Sequence, residues 1–290
     1  MLSSVTTSDL EMAYADSGDA GGRTVVLLHG WPDSAASWDV IGPALARAGA
    51  RVVVPELRGH GHTRFRDASI ARSGQLTALG KDVAELIEQL KLNDVILVGH
   101  DWGARAAYVV GAAFPKRIDR LICMSSAYAT QTFPEADRYR VAEAHWYEWF
   151  LATEFGRKAF ETDRKALCRY LWTTWSPNWA FDEAHFNRVA TAWDNEDWFE
   201  ITRHAYMHRW GEAAGYPAYD ELEAQLAQSP AIQRPTTMLH GSDDPNRPST
   251  SAGKERYFPK GYDRRVLEGV GHFIPGEAPH VVLDAIMEHL

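Results

Sequence analysis

The chain has 290 residues, 45% of them hydrophobic, which suits one large domain or one core domain carrying an insertion. Its 30 Lys and Arg against 39 Asp and Glu give a net charge of −9, which excludes nucleic acid and anionic membrane as expected partners. The N-terminus lacks the basic and apolar regions of an export signal, and no run approaches the roughly 20 apolar residues of a membrane span, so a soluble cytoplasmic protein is expected. Cys123 and Cys168 have neither paired nor metal-ligand spacing and read as reduced and structural.

In chain order, residues 10–16 alternate loosely and predict an edge strand, followed by a turn-rich break at 16–22. Thr24 to Leu28 is a buried strand that runs into His29-Gly30-Trp31-Pro32. A helix is predicted over 37–48, a strand over 51–57, and a glycine-spaced loop at Arg58-Gly59-His60-Gly61-His62. His60 and His62 resemble a metal pair in spacing, but no partner cluster accompanies them and a plain loop is the better reading. Residues 75–90 have helical periodicity. The apolar run Val95 to Val98 then ends in Gly99-His100-Asp101-Trp102-Gly103, and an Ala-rich helical stretch follows from Ala104 to Phe114. This predicts a strand, a sharp turn and a helix, with glycines where side chains would collide and an acidic side chain at the tip. The next strand is 121–124, and the alternation of strands and helices implies a parallel sheet.

After Ser126 the pattern changes. Residues 127–231 hold eight of the eleven tryptophans, many charges and no convincing strand, with helical segments at 138–151, 158–172, 182–193 and 197–210. The alternation resumes with a strand at Thr236 to Gly241, a helix near 249–257, a strand near 263–268 and a last helix from 277. Residues 1–126 and 232–290 therefore read as one α/β core domain, and 127–231 as a helical cap inserted into it.

Four places could carry chemistry. Asp101 reads either as a helix N-cap favoured by the helix dipole or as a nucleophile, and its place at a strand–turn–helix join favours the second. His272, in the glycine-rich loop Gly269-Val270-Gly271-His272-Phe273, is the candidate base. The carboxylate that would orient it is Asp243 or Asp244; Asp244 is preferred and Asp243 read as a surface or capping residue. An oxyanion hole needs two N–H groups aimed at one point, which Trp31 and Trp102 are placed to supply.

The motifs His-Gly-Trp-Pro, Gly-His-Asp-Trp-Gly, Gly-Ser-Asp-Asp-Pro and Gly-Val-Gly-His-Phe together resemble the α/β-hydrolase superfamily. More narrowly, they resemble its aspartate-nucleophile branch of epoxide hydrolases, haloalkane dehalogenases and fluoroacetate dehalogenases. The resemblance implies an α/β-hydrolase fold: a mostly parallel sheet of the eight-stranded type, flanked by helices, with an inserted helical cap. It implies catalysis by Asp101, His272 and Asp244 without a cofactor or metal. Epoxide hydrolases of this kind carry two cap tyrosines on the epoxide oxygen, and the matching positions are Tyr147 and Tyr206. With Trp31 and Trp102 they form the expected substrate site. Fluoroacetate dehalogenases share Arg105 but have arginine at Trp102 and His-Trp at Tyr147-Glu148; haloalkane dehalogenases often have Asn at Trp31. Arg105 itself reads as either a helix-surface residue or a ligand for a substrate carboxylate. The expected function is an epoxide hydrolase acting on a small apolar substrate, with a second copy of the chain as the one protein partner considered. The alternatives are a dehalogenase using the same triad, or a non-catalytic ligand-binding protein of this fold.

Overall fold

The structure is a computed structural model and describes residues 2–130 and 137–290. Residues 131–136 of the expected insertion lie outside the described residues. One sheet runs in the order β1 (Leu2–Thr6), β2 (Leu10–Gly18), β4 (Arg51–Pro55), β3 (Thr24–Leu28), β6 (Val95–His100), β7 (Ile118–Met124), β8 (Thr236–Gly241) and β9 (Tyr262–Leu267). A short β5 (Arg64–Phe65) pairs with β2. All pairings from β4 to β9 are parallel, and β1–β2, β2–β4 and β2–β5 are antiparallel.

The continuous apolar runs of β3 and β6 are explained by burial on both faces. Val25, Leu27, Ile96 and Val98 face one core cluster, closed by Ile41 and Leu45 of α1 (Ile41–Arg47) and by Val282 and Ile286 of α11 (Pro279–Met287). Val26, Leu28, Val95 and Leu97 face the other, closed by Leu79, Val83 and Leu86 of α2 (Leu76–Gln89) and by α3 (Trp102–Ala113). A short α10 (Ile274–Glu277) precedes α11.

Between β7 and β8 the described residues hold only helices: α4 (Arg138–Ala144), α5 (Trp146–Ala152), α6 (Glu154–Trp175), α7 (Glu183–Ala190), α8 (Trp198–Arg209) and α9 (Asp220–Leu226), with short 3-10 turns. Their tryptophans act as more than apolar filler. Indole N–H groups of Trp172, Trp193 and Trp198 donate to Pro32 O, Asp33 O and His60 Nε2 at 2.8, 3.3 and 3.0 Å. In return Trp31 of the core donates through Nε1 to Thr202 of α8 at 3.0 Å. Large apolar surfaces with one polar handle thereby fix the helical segment over the loops that follow β3 and β4. The buried Arg58, which pairs with Asp82 at 2.6 Å, adds a further tie at the Tyr219 hydroxyl.

Several expectations need correcting. The strand expected at 10–16 spans Leu10–Gly18 and is not at the edge: β1, whose polar sequence hid it, forms the edge of a hairpin with β2. With β5 the sheet has nine strands rather than eight. The helix expected over 37–48 is a 3-10 turn at Ala35–Trp38 followed by α1, and the one near 249–257 is two 3-10 turns at Pro248–Ser251 and Glu255–Tyr257. The segment 138–151 is divided into α4 and α5, and α9 had no expectation at all. Among the described residues, no helix is long and apolar enough to cross a membrane.

The turn between β6 and α3 is closely crowded by backbone. A Cβ on Gly99 would lie 2.4 Å from Gly103 O, and one on Gly103 would lie 2.3 Å from Leu28 O. Gly103→Ala must therefore displace β3 or α3, and a loss of about 3 kcal/mol or more is expected in urea denaturation. A variant within about 0.5 kcal/mol of the parent would contradict this packing.

Candidate active site

Asp101 stands at the end of β6 with φ 50° and ψ −111°, a left-handed conformation that a non-glycine residue adopts only when its surroundings impose it. Its N–H donates to Met124 O at 3.1 Å, and its carbonyl accepts the N–H of Arg105 at 3.0 Å, starting α3. Its side chain makes no capping bond to that helix. Asp101 therefore occupies the N-cap position of α3 without capping it through its side chain. Oδ1 instead accepts the backbone N–H of Trp31 at 3.0 Å, beside a cis Trp31–Pro32 peptide. Oδ2 faces the Ser126 hydroxyl at 3.5 Å and His272 Nε2 at 3.7 Å. Trp102 opens α3, so its N–H has no acceptor within the helix.

His272 is buried, and its Nδ1 lies 3.1 and 3.0 Å from the two carboxylate oxygens of Asp244. A ring nitrogen facing a carboxylate donates to it, which turns Nε2 toward Asp101. Among the described residues Nε2 has no hydrogen-bond partner of its own. The backbone around the ring is fixed: His272 N–H donates to Trp175 O at 2.9 Å, and its carbonyl accepts from His100 Nε2 at 2.9 Å and Ser125 Oγ at 2.6 Å. Asp244 is buried and accepts the N–H of Asn246 at 2.8 Å. Asp243 is exposed and bonds Asn178 instead. Burial opposes a charge on His272, but the Asp244 carboxylate, by charge and by hydrogen bond, outweighs it. With smaller help from Asp101 and Glu277, the imidazole is raised to about 9.

Tyr147 of α5 and Tyr206 of α8 are buried and lie edge to face, with ring centroids 5.3 Å apart. Trp31 stacks on Tyr147 at 5.6 Å and meets Tyr206 at 5.0 Å, and Tyr206 also meets Trp102 at 5.7 Å. The six residues Asp101, Trp31, Trp102, Tyr147, Tyr206 and His272 thus form one continuous cluster. Burial, followed by nearby negative charges, raises both phenols well above their ordinary value. A cavity of about 660 Å³ adjoins the cluster, walled by Trp102, Tyr206, Tyr108, Tyr128, Leu226 and Arg105 among others. Arg105 is half-buried and faces this cavity, so it is not a helix-surface residue. Burial and the neighbouring charge of Arg209 lower its pKa.

Ser125, Ser126, His100 and Glu148 touch this cluster without having been singled out. Neither Ser126 nor His100 carries a spacing signal of its own. His60 uses both ring nitrogens, on Arg58 O at 3.1 Å and on Trp198 at 3.0 Å, while His62 is exposed beside Glu56. Among the described residues no group of three or more His, Cys, Asp or Glu is placed to hold a metal.

A profile of the alpha/beta hydrolase fold matches residues 23–279. Epoxide hydrolase A of Mycobacterium tuberculosis is 26% identical over 99% of this chain and 96% of its own length. Human epoxide hydrolase 4 is 24% identical over 96% of this chain and 75% of its own. Among solved structures, a candidate epoxide hydrolase from Klebsiella pneumoniae aligns with a TM-score of 0.91 at 34% identity, covering 99% of this chain and 96% of that one. A laboratory-evolved variant of a potato epoxide hydrolase shares the fold with a TM-score of 0.80 at 22% identity, covering 99% and 98% of the two chains.

The charge on His272 has a measurable sign. A group raised from 6.5 to about 9 on folding contributes stability that is complete below pH 6.5 and lost as pH rises through 9. The denaturation midpoints of wild type and His272→Gln should therefore converge between pH 6.5 and 9. By NMR titration, Asp244→Asn should lower the His272 pKa more than Asp101→Asn does. A gap that widens with pH, or the reverse order of the two variants, would contradict this electrostatic account.

Proposed function

The chain belongs to the α/β-hydrolase fold family, and from that premise we propose that it is an epoxide hydrolase, opening a small apolar epoxide to a diol. The observation that carries this reading is the pair of buried phenols, Tyr147 and Tyr206, packed against the aromatic wall beside Asp101. An epoxide leaves as an alkoxide and needs a proton, whereas a departing halide needs none. In this reading 127–231 acts as the cap that carries the two phenols and the aromatic wall, over a core of 1–126 and 232–290.

Asp101 Oδ attacks an epoxide carbon, the C–O bond of the ring breaks, and an alkyl ester forms while the tyrosines bind and protonate the oxygen. With its pKa raised to about 9, chiefly by Asp244, His272 is favoured as an imidazolium while Asp101 is ionised. Esterification removes the Asp101 charge, one of the smaller causes holding His272 up, and so moves the imidazole toward the free base while Asp244 keeps it oriented. Neutral His272, oriented by Asp244, then takes a proton from water that attacks the carboxyl carbon of Asp101. The N–H groups of Trp31 and Trp102 would hold the resulting oxyanion. Among the described residues no metal cluster is formed, and the scheme uses no cofactor.

The direct test is diol formation from styrene oxide measured beside halide release from bromoalkanes and fluoroacetate. Diol without halide is the expected result; halide without diol would replace this reading with a dehalogenase, and neither product with a binding protein. Asp101→Ala should lower kcat by about a thousandfold or more. His272→Gln should accumulate an alkylated Asp101, visible as a mass shift. Combining Tyr147→Phe with Tyr206→Phe should remove diol formation by a factor on the order of 100 or more.

A further inference from the structure

The two phenols reach the site in different hydrogen-bonding states. The Tyr147 hydroxyl donates to Glu148 Oε1 at 3.1 Å. The Tyr206 hydroxyl makes no hydrogen bond among the described residues. Glu148 has a fully buried side chain and is gripped from the C-terminal end of α8, the helix that carries Tyr206. Arg209 Nη1 donates to its Oε1 at 2.8 Å, and the indole of Trp210 donates to its Oε2 at 2.5 Å. Protonation at either oxygen would cost one of these two bonds, so they favour the carboxylate against the burial that raises its pKa.

We propose that Glu148 makes the two tyrosines unequal: it retains the proton of Tyr147, and Tyr206 is the acid that protonates the opening oxygen. A phenol has one proton to give. A bond to an ionised acceptor is about twice as strong as one between neutral groups, so an epoxide oxygen competes poorly for the Tyr147 proton. A carboxylate beside a phenol also disfavours the phenolate that donation would leave. Tyr206 has no such neighbour in contact, and its ring is held by Tyr147, Trp31 and Trp102. Glu148 and Tyr147 are then positioning residues, and the salt bridge to Arg209 also ties α5 to α8 so that the two rings keep their edge-to-face contact.

The step balances. The bond from Asp101 Oδ to carbon forms, the ring C–O bond breaks, and the alkoxide takes the Tyr206 proton. Hydrolysis of the ester then regenerates the Asp101 carboxylate and releases one proton, which restores the phenol. This inference rests on the epoxide-opening reading.

The test is single-turnover alkylation by styrene oxide, followed through the fluorescence of Trp31 and Trp102 and by the mass of the Asp101 peptide. Tyr206→Phe should slow alkylation at least about tenfold more than Tyr147→Phe does. Glu148→Gln should then speed the Tyr206→Phe variant severalfold, because a neutral acceptor releases the Tyr147 proton to the substrate. A merely structural Glu148 predicts the opposite, a further loss from the double variant. Equal losses for the two phenylalanine variants, or a slower double variant, would overturn the proposal. Should Glu148→Gln not fold, as judged by its thermal transition, the ratio of the two tyrosine variants still decides. Wild type that forms no alkylated Asp101 would instead remove the epoxide reading and this inference together.

Discussion

A carboxylate just before a helix is drawn to the free N–H groups of the first turn, and the backbone of Asp101, at φ 50°, keeps it from them. That conformation persists because Gly99 and Gly103 let β3, β6 and α3 close to backbone contact around it. The carboxylate is turned instead into a buried space where Trp31 holds one oxygen and His272 faces the other. Every other feature of the site is arranged with respect to this displaced side chain. Asp244 fixes the far side of the imidazole, and Ser125 and His100 fix the loop that carries it.

Charge balance follows from the same geometry. Two carboxylates enclose one imidazole in a buried site, so the charged imidazolium is favoured while both are ionised. Neutralising Asp101 alone shifts that balance toward the free base. A single covalent event at the nucleophile would thus change the protonation preference of the group that must act next, with no movement of the backbone. The indole donors of the aromatic wall to the loops after β3 and β4 keep the helical segment seated on the sheet.

Much of this was legible in the sequence because it rests on local patterns. The doubly buried strands β3 and β6 are unbroken apolar runs, and the turn at Asp101 announces itself by two glycines at fixed spacing. The resemblance pointed to Tyr147 and Tyr206, and the fold brings them within 5.3 Å of each other although 59 positions separate them (206 − 147). The failures have physical reasons too. β1 is stabilised by pairing with β2 rather than by burial, so its polar residues gave no apolar signal. Ser126 and Glu148 matter through what they touch across the fold, and neither a serine after a strand nor a glutamate within a helix is distinctive by itself. The sequence left Arg105 open between a helix-surface residue and a ligand for a substrate carboxylate, because the cavity it faces is built in part by α8 and α9, far along the chain.

The central claim is that the carboxyl group of Asp101 becomes covalently bonded to the substrate and is then attacked by water at its own carbon. A single turnover in ¹⁸O-water, with enzyme in excess over styrene oxide, tests this directly. The account predicts an unlabelled diol and one ¹⁸O in the peptide containing Asp101. Label in the diol from that first turnover, with an unlabelled peptide, would mean that water attacks the epoxide itself and that Asp101 only assists it.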